Sequence, residues 1–338
     1  MIVQMKSQCA KEDIEHVIEI LDEANTQHFL IELSGIKMIE VFDFSHNLDI
    51  DRLKNSPMVE RVVKKCTPNL AAKQDSTDET YQITLGEHAT FGGKKLGIIA
   101  GPCSVETQGH LLEIAHAVSE AGAVALRGGT FKPRTSPYSF QGLGEAGLEM
   151  LALAGEETGL AIVTEVMGVE HIPLVSKYAD ALQIGSRNMH NSNLLLAVGQ
   201  QAKPVLLKRG WSATLAEFLM AAEYIMLGGN RNVILCERGI RTFEEFTRNT
   251  LSLAVVPEIK RVSRLPIIAD PSHGTGRRHL VAPMGNAAIA CGADGLIIEV
   301  HRAPEQAWCD GDQSLSHQEF EAFMKSLPAF AEAAGRTL

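Results

Sequence analysis

The sequence predicts an α/β protein, a (β/α)8 TIM barrel preceded by a small α+β domain. Three observations carry this. Eight short apolar runs recur after residue 95, each followed by polar loop residues and a helical stretch. A separate stretch of βαββαβ order precedes them, and a polar, irregular segment lies between the two.

The N-terminal elements read in order. Met1 to Met5 is a short strand. Lys11 to Ala24 is helical, because Ile14, Val17, Ile18 and Leu21 share one face at spacings of three and four. His28 to Leu33 and Lys37 to Phe42 are strands around the turn signal Ser34-Gly35. Asp49 to Lys54 is a short helix and Val59 to Lys64 a final strand, so residues 1–66 take the ferredoxin-like split order. Residues 67–80, "TPNLAAKQDSTDET", form the linker, and residues 81–338 the barrel domain. Tyr81 to Gly93 is expected to be a hairpin.

The barrel strands are "LGIIAG" (96–101), "AVALRG" (123–128), "AIVTEV" (161–166), "ALQIGS" (181–186), "PVLLKR" (204–209), "VILCER" (233–238), "PIIADP" (266–271) and "GLIIEV" (295–300). Capping boxes Thr214…Glu217, Thr242…Glu245 and Ser316…Glu319 announce helices between or after them. An open doubly wound sheet is the alternative, weakened by the lack of G-x-G-x-x-G at the first βα turn.

With 338 residues, 45% apolar content and net charge −10, the chain does not suit general nucleic-acid binding. Leu280 to Ala293 is too short and too interrupted to span a bilayer, and no signal peptide is evident. The six cysteines show neither paired nor zinc-ribbon spacing, so the expected setting is cytoplasmic, with reduced thiols.

Against that acidic background the loop "LRGGTFKPRTSPYSFQG" (126–142) gathers cations, and it is not alone. Arg127, Lys132, Arg134, Arg187, Lys208, Arg209, Arg238, Arg241, Arg277 and Arg278, ten of the 31 basic residues, fall at C-terminal strand ends, where barrel enzymes keep their chemistry. Pairing with acids is the plain alternative, but that rim offers few, namely Glu165, Glu237, Asp270 and Glu299. The set therefore points to a guest with more than one phosphate or carboxylate group. Cys103, His273, Glu299 and Asp310 also stand at or after the ends of the first, seventh and eighth strands, which become neighbours on closure. A mixed S/N/O set suits one divalent ion of the Mn, Fe, Co or Zn class, although a lone Cys is often only a buried apolar residue.

The motifs "GPCSVE", "RGGTFKPRTSPYSFQG", "QIGSRN", "LLKRG", "ERG", "ADPSHGTG" and "IIEVH…DGDQSL" resemble, in order, those of 3-deoxy-D-arabino-heptulosonate 7-phosphate (DAHP) synthase, type I-beta, over residues 81–338. The resemblance implies condensation of phosphoenolpyruvate with erythrose 4-phosphate, the entry step of the shikimate pathway. It implies that Arg187, Lys208 and Arg238 hold phosphoenolpyruvate, helped by Arg127, Lys132 and the backbone near Gly185 and Ser186. Pro133, Arg134 and Thr135, with Lys132, match the aldose phosphate motif, and Cys103, His273, Glu299 and Asp310 the metal ligands. Glu165 matches an acid that positions water, and Lys132 is placed to protonate the new alkoxide. By the same resemblance residues 1–66 are a regulatory domain taking an aromatic amino acid, in a homo-oligomer with a tetramer favoured. The related 3-deoxy-D-manno-octulosonate 8-phosphate synthase, which uses arabinose 5-phosphate, is the alternative, and "KPRTS" argues against it because that family carries an Asn-Arg-Ser-Ser type sequence there. Cys309 is expected to be a passenger beside Asp310.

Overall fold

The structure is a computed structural model, and it describes residues 1–33, 35–43, 48–63, 70–72, 79–132, 136 and 138–338. The chain divides into two compact units, Met1–Leu70 and Ala71–Leu338.

The first unit runs β1 (Ile2–Met5), α1 (Lys11–Glu23), β2 (Gln27–Leu33), β3 (Ile36–Asp43), α2 (Ile50–Lys54) and β4 (Val59–Val63). Its antiparallel sheet has the order β2-β3-β1-β4. Val3, Met5, Ile39 and Val41 project from one sheet face and pack with Ile14, Val17, Ile20 and Leu21 of α1 and Leu53 of α2. The three-and-four spacing read from α1 is therefore its packing stripe. Asp49 starts α2 by accepting from the backbone N–H groups of Asp51 and Arg52.

In the second unit the predicted hairpin is β5 (Ile83–Leu85) with β6 (Ala89–Phe91). The barrel strands are β7 (Gly97–Gly101), β8 (Ala125–Arg127), β9 (Ala161–Glu165), β10 (Ala181–Ile184), β11 (Val205–Lys208), β12 (Val233–Glu237), β13 (Ile267–Ala269) and β14 (Gly295–Glu299). All are parallel, and β14 pairs with β7 to close the ring, which excludes the open-sheet alternative. The helices are α3 (Gln108–Glu120), α4 (Glu145–Thr158), α5 (Ile172–Tyr178), α6 (Ser192–Gly199), α7 (Leu215–Leu227), α8 (Val255–Val262), α9 (Pro271–Thr275), α10 (Arg278–Ala290) and α11 (His317–Ala333). No helix among the described residues is long and apolar enough to cross a membrane.

The capping boxes at Thr214 and Ser316 open α7 and α11. The one expected at Thr242 opens no helix. Thr242 Oγ1 instead lies 2.7 Å from Thr250 Oγ1, next to an antiparallel bridge between Ile240 and Thr250, so the loop turns back on itself. Within the stretch expected to be linker, Ala71 is buried, and its carbonyl accepts from Ser263 Oγ at 2.7 Å.

Strand alternation builds the interior. Ile99, Ala125, Val163, Ala181, Leu206, Ile234, Ile268 and Ile297 point inward and form one apolar cluster with Ile83, Leu85 and Phe91 of the hairpin. Phe91 is fully buried against the start of β7, where a Cβ on Gly97 would stand 2.2 Å from its ring. The hairpin thus floors the barrel. Two residues beyond the apolar layer, the same inward parity selects Gly101, Arg127, Glu165, Gln183, Lys208, Asp270 and Glu299, all toward the open end.

Candidate active site

Four strand-end segments meet at that open end. Cys103 follows β7, His273 sits in α9 after β13, Glu299 ends β14, and Asp310 lies in the loop after it. Ligand atoms of Cys103, Glu299 and Asp310 lie within 4.8 Å of one another. His273 Nε2 is 3.3 Å from Glu299 Oε1 and 4.0 Å from Asp310 Oδ2. The four residues picked out in the sequence are therefore brought together.

Their electrostatics suit a divalent cation. Burial opposes ionisation of Glu299, but His273 and Arg127 hold its carboxyl below the usual range. Asp310 is held down to about 2, with burial opposing and His273 and Arg248 prevailing. The Cys103 thiol is pushed well up by its hydrogen bond with Cys309, by burial and by the nearby Glu299, so it keeps its proton and donates to Asp310 Oδ2 at 3.3 Å. Burial pulls the His273 imidazole down toward its neutral, metal-binding form. Two carboxylates, a neutral imidazole and a thiol crowded together out of water form an anionic pocket whose donor atoms fit such an ion. His273 Nδ1 lies 2.7 Å from Asp270 Oδ2, although it is not aligned for a hydrogen bond. The His273 backbone N–H donates to Asp270 Oδ1 at 2.9 Å, which fixes the turn that carries the ring.

Beside this cluster opens a cavity of about 330 Å³ lined by Arg127, Lys132, Arg187, Lys208 and Arg238, with Glu165, Gly185 and Ser186 on its wall. Arg238 is 2% exposed, and its Nη1 has no hydrogen-bond partner among the described residues. Burial brings its pKa down to about 10, so it stays cationic at neutral pH and unmatched, as an anion-binding group must be. Lys208 Nζ pairs with Asp270 Oδ2 at 2.5 Å. Lys132 Nζ donates to the Cys103 carbonyl at 2.9 Å and lies 3.2 Å from Cys103 Sγ, which puts it between the cluster and the cavity. Glu165 packs over Gly185, where a Cβ would come within 2.1 Å of its Oε1, so a larger residue there would displace the carboxylate.

The rim holds fewer free cations than the sequence suggested. Arg209 lies one residue beyond the inward-facing Lys208, so it points outward. There it pairs with Glu237 at 2.7 Å and donates to the Ala213 carbonyl. Arg241, Arg277 and Arg278 do not line the cavity. Arg277 Nε donates to the Phe246 carbonyl, and Arg278 Nη2 lies 3.5 Å from the Gly311 carbonyl. Arg127 is cavity-lining but also pairs with Glu299 at 2.7 Å. Pro133, Arg134 and Thr135 lie outside the described residues. Cys309 Sγ is 3.1 Å from Ser104 Oγ, and its hydrogen bond with Cys103 lowers its pKa to about 6 against the effect of burial.

Five lining residues are not singled out by the sequence: Ser136, Ser139, Gln183, Trp211 and Arg248. Arg248 stands well past the end of β12, outside the strand-end window. Gln183 is inward by parity, a signal that was available. Trp211 carries Arg187, Arg238 and Arg241 over its ring, with guanidinium carbons 5.2, 5.9 and 4.8 Å from the centroid.

Comparison with known proteins agrees with this geometry. The family model described as the DAHP synthetase I family matches residues 76–334. The phospho-2-dehydro-3-deoxyheptonate aldolase of Thermotoga maritima is 46% identical over 335 residues, covering 99% of both chains. A crystal structure of the Thermotoga maritima DAHP synthase, at 45% identity, superposes with a TM-score of 0.79 over 99% of this chain and 98% of that one. The 2-dehydro-3-deoxyphosphooctonate aldolase of Syntrophotalea carbinolica is 33% identical over 260 residues, 71% of this chain and 92% of its own. A cation-lined mouth, a thiol–imidazole–carboxylate cluster beside it and a match over the full length lead to one assignment: the chain belongs to the DAHP synthetase I family.

Proposed function

We propose that the chain condenses phosphoenolpyruvate with erythrose 4-phosphate to give DAHP and phosphate. The observation that carries this reading is the buried Arg238, its Nη1 without a hydrogen-bond partner among the described residues, lining the same cavity as His273 and Asp310 of the ligand cluster. An anion seated on the cations there lies beside the four ligands.

Arg187, Lys208 and Arg238, with Arg127, Lys132 and the backbone at Gly185 and Ser186, receive the phosphate and carboxylate of phosphoenolpyruvate. Pro133, Arg134 and Thr135, with Lys132, receive the aldose phosphate. Cys103, His273, Glu299 and Asp310 would hold one divalent ion of the Mn, Fe, Co or Zn class, which would supply Lewis acidity for the aldehyde. Carbon 3 of phosphoenolpyruvate bonds to the aldehyde carbon, and Lys132 delivers a proton to the resulting alkoxide. Glu165 positions the water that adds at carbon 2, and the C–O bond to phosphate then breaks.

Acceptor choice is the point to test. The 2-dehydro-3-deoxyphosphooctonate aldolase relative is similar over 71% of this chain, whereas the phospho-2-dehydro-3-deoxyheptonate aldolase relative is similar over 99% of it. Phosphate release from phosphoenolpyruvate is expected with erythrose 4-phosphate and not with arabinose 5-phosphate. It should stop on chelation and return with a divalent ion. The opposite acceptor preference would overturn the reading.

Residues 1–66 are read as a type I-beta regulatory domain, joined by a linker over residues 67–80 to a catalytic domain over residues 81–338. Supporting the ferredoxin-like assignment is the β2-β3-β1-β4 order, with both helices packed on one face. The reading extends to feedback inhibition by an aromatic amino acid, a homo-oligomeric, preferably tetrameric, assembly and a cytoplasmic setting. Deleting residues 1–66 should leave activity while abolishing inhibition by tyrosine or phenylalanine.

A further inference from the structure

Behind the ligand cluster runs a chain of polar side chains to which the roles above give no task. Gln313 ends the short 3-10 turn Gly311–Gln313 that follows Asp310, and it is folded inward, 3% exposed. Its Nε2 donates to Glu299 Oε2 at 2.6 Å, while Arg127 and His273 face the other oxygen, Oε1. Its Oε1 accepts from Arg248 Nη1 at 2.8 Å, and that same Nη1 is 3.5 Å from Asp310 Oδ2. The neighbouring Asn249 Nδ2 donates to the His273 carbonyl at 3.0 Å. Backbone N–H groups of Arg248 and Asn249 donate to the carbonyls of Thr275 and Gly274. A two-residue segment beyond β12 thus braces the loops that carry three of the four ligands.

We propose that Gln313 and Arg248 are positioning residues for the metal centre, holding Glu299 with a single oxygen turned toward the ion. The inference rests on reading Cys103, His273, Glu299 and Asp310 as that centre.

The chemistry of the amide supplies the reason. A carboxylate only accepts and a guanidinium only donates, so a carboxamide between them has one workable sense. Its N–H₂ end must face Glu299 and its oxygen must face Arg248, and each end fixes the other. With Oε2 tied to Gln313, Arg127 engages Oε1 alone. Without that tether, Glu299 would have a buried oxygen lacking its donor and an arginine fork within reach. Two-point Arg–carboxylate pairing is the favoured geometry of such a pair. Glu299 would rotate onto Arg127 and be withdrawn from the centre. Arg248 adds a second effect, because it also restrains Asp310 directly.

The test is metal binding by the full chain, followed by Mn²⁺ electron paramagnetic resonance and by the visible spectrum of bound Co²⁺. Gln313→Met is expected to weaken Mn²⁺ binding roughly 10- to 100-fold, the range for an outer-sphere partner, and to change the Co²⁺ spectrum. Arg248→Met, at a half-exposed position that tolerates substitution, should do the same to a smaller degree, with Arg248→Lys restoring part of the loss because an ammonium still donates. Parental Mn²⁺ affinity and an unchanged Co²⁺ spectrum in both methionine variants would overturn the inference. Should Gln313→Met fail to fold, Arg248→Met decides alone. A parent chain that binds neither ion would overturn the metal centre itself, and this inference with it.

Discussion

Arg127 Nη1 meets Glu299 Oε1 at 2.7 Å, with the two side chains 5% and 1% exposed. Burial opposes the charge of the guanidinium, but Glu299 is the strongest of the groups that outweigh it and raise its pKa, so it stays permanently charged. One arginine therefore stabilises a buried carboxylate and lines the cavity. Removing either partner of such a pair leaves a buried charge uncompensated. Arg127→Met should cost about 3–5 kcal/mol in the metal-free protein, measured by urea unfolding. A loss below about 1 kcal/mol would show that Gln313 and His273 suffice to hold Glu299.

Lys132 stands between the ligand cluster and the cavity. Burial opposes its charge, yet the Cys103–Cys309 pair, in which Cys309 ionises first, outweighs it and raises the pKa of the ammonium. A group so held can give up a proton to a strongly basic alkoxide. Lys132→Gln should lower turnover about 10²- to 10⁴-fold at saturating levels of both substrates. Near-parental turnover would remove Lys132 from the proton path.

Three guanidiniums share the Trp211 ring, two of them assigned to phosphoenolpyruvate. Each such contact is worth roughly 0.5–2 kcal/mol. Trp211→Leu should raise the KM for phosphoenolpyruvate about tenfold while changing kcat by no more than about threefold. A fall in kcat at constant KM would mean that the indole acts on the chemical step rather than on the arginines.

The capping box of α7 offers a pH test away from the site. Thr214 N–H and Oγ1 both bond Glu217 Oε2, at 2.7 and 2.8 Å, and these bonds lower its pKa. A carboxyl depressed in the folded state stabilises fully above its unfolded pKa, and that contribution is lost as pH falls through the folded value. The Tm of the parent chain should therefore exceed that of Glu217→Ala at neutral pH, and the gap should shrink in acid. A gap that widens on acidification would mean that the bonds favour the protonated form.

What the sequence made legible follows from how local each signal is. The eight barrel strands were visible because each is a short, β-branched run bounded by polar loop residues, and the ligand set because its members stand at those strand ends. Strand-end position alone does not separate Arg209 from Lys208; the two-residue alternation does, sending Lys208 inward and Arg209 outward to Glu237. The helix expected after Thr242 failed because a hydroxyl that can cap can also bond across a loop, here to Thr250. Arg248 and Gln313 lay beyond reach for a different reason. Their task exists only where loops after β12, β13 and β14 converge, and no local spacing announces that meeting.

The hairpin that floors the barrel leaves the cavity on the strand-end side. Of the cations lining it, Arg238 and Lys208 are 2% and 4% exposed, whereas Arg248 is half-exposed. An anion that reaches the buried pair must shed its water to do so, and the pair in turn has to replace that hydration with its own donors.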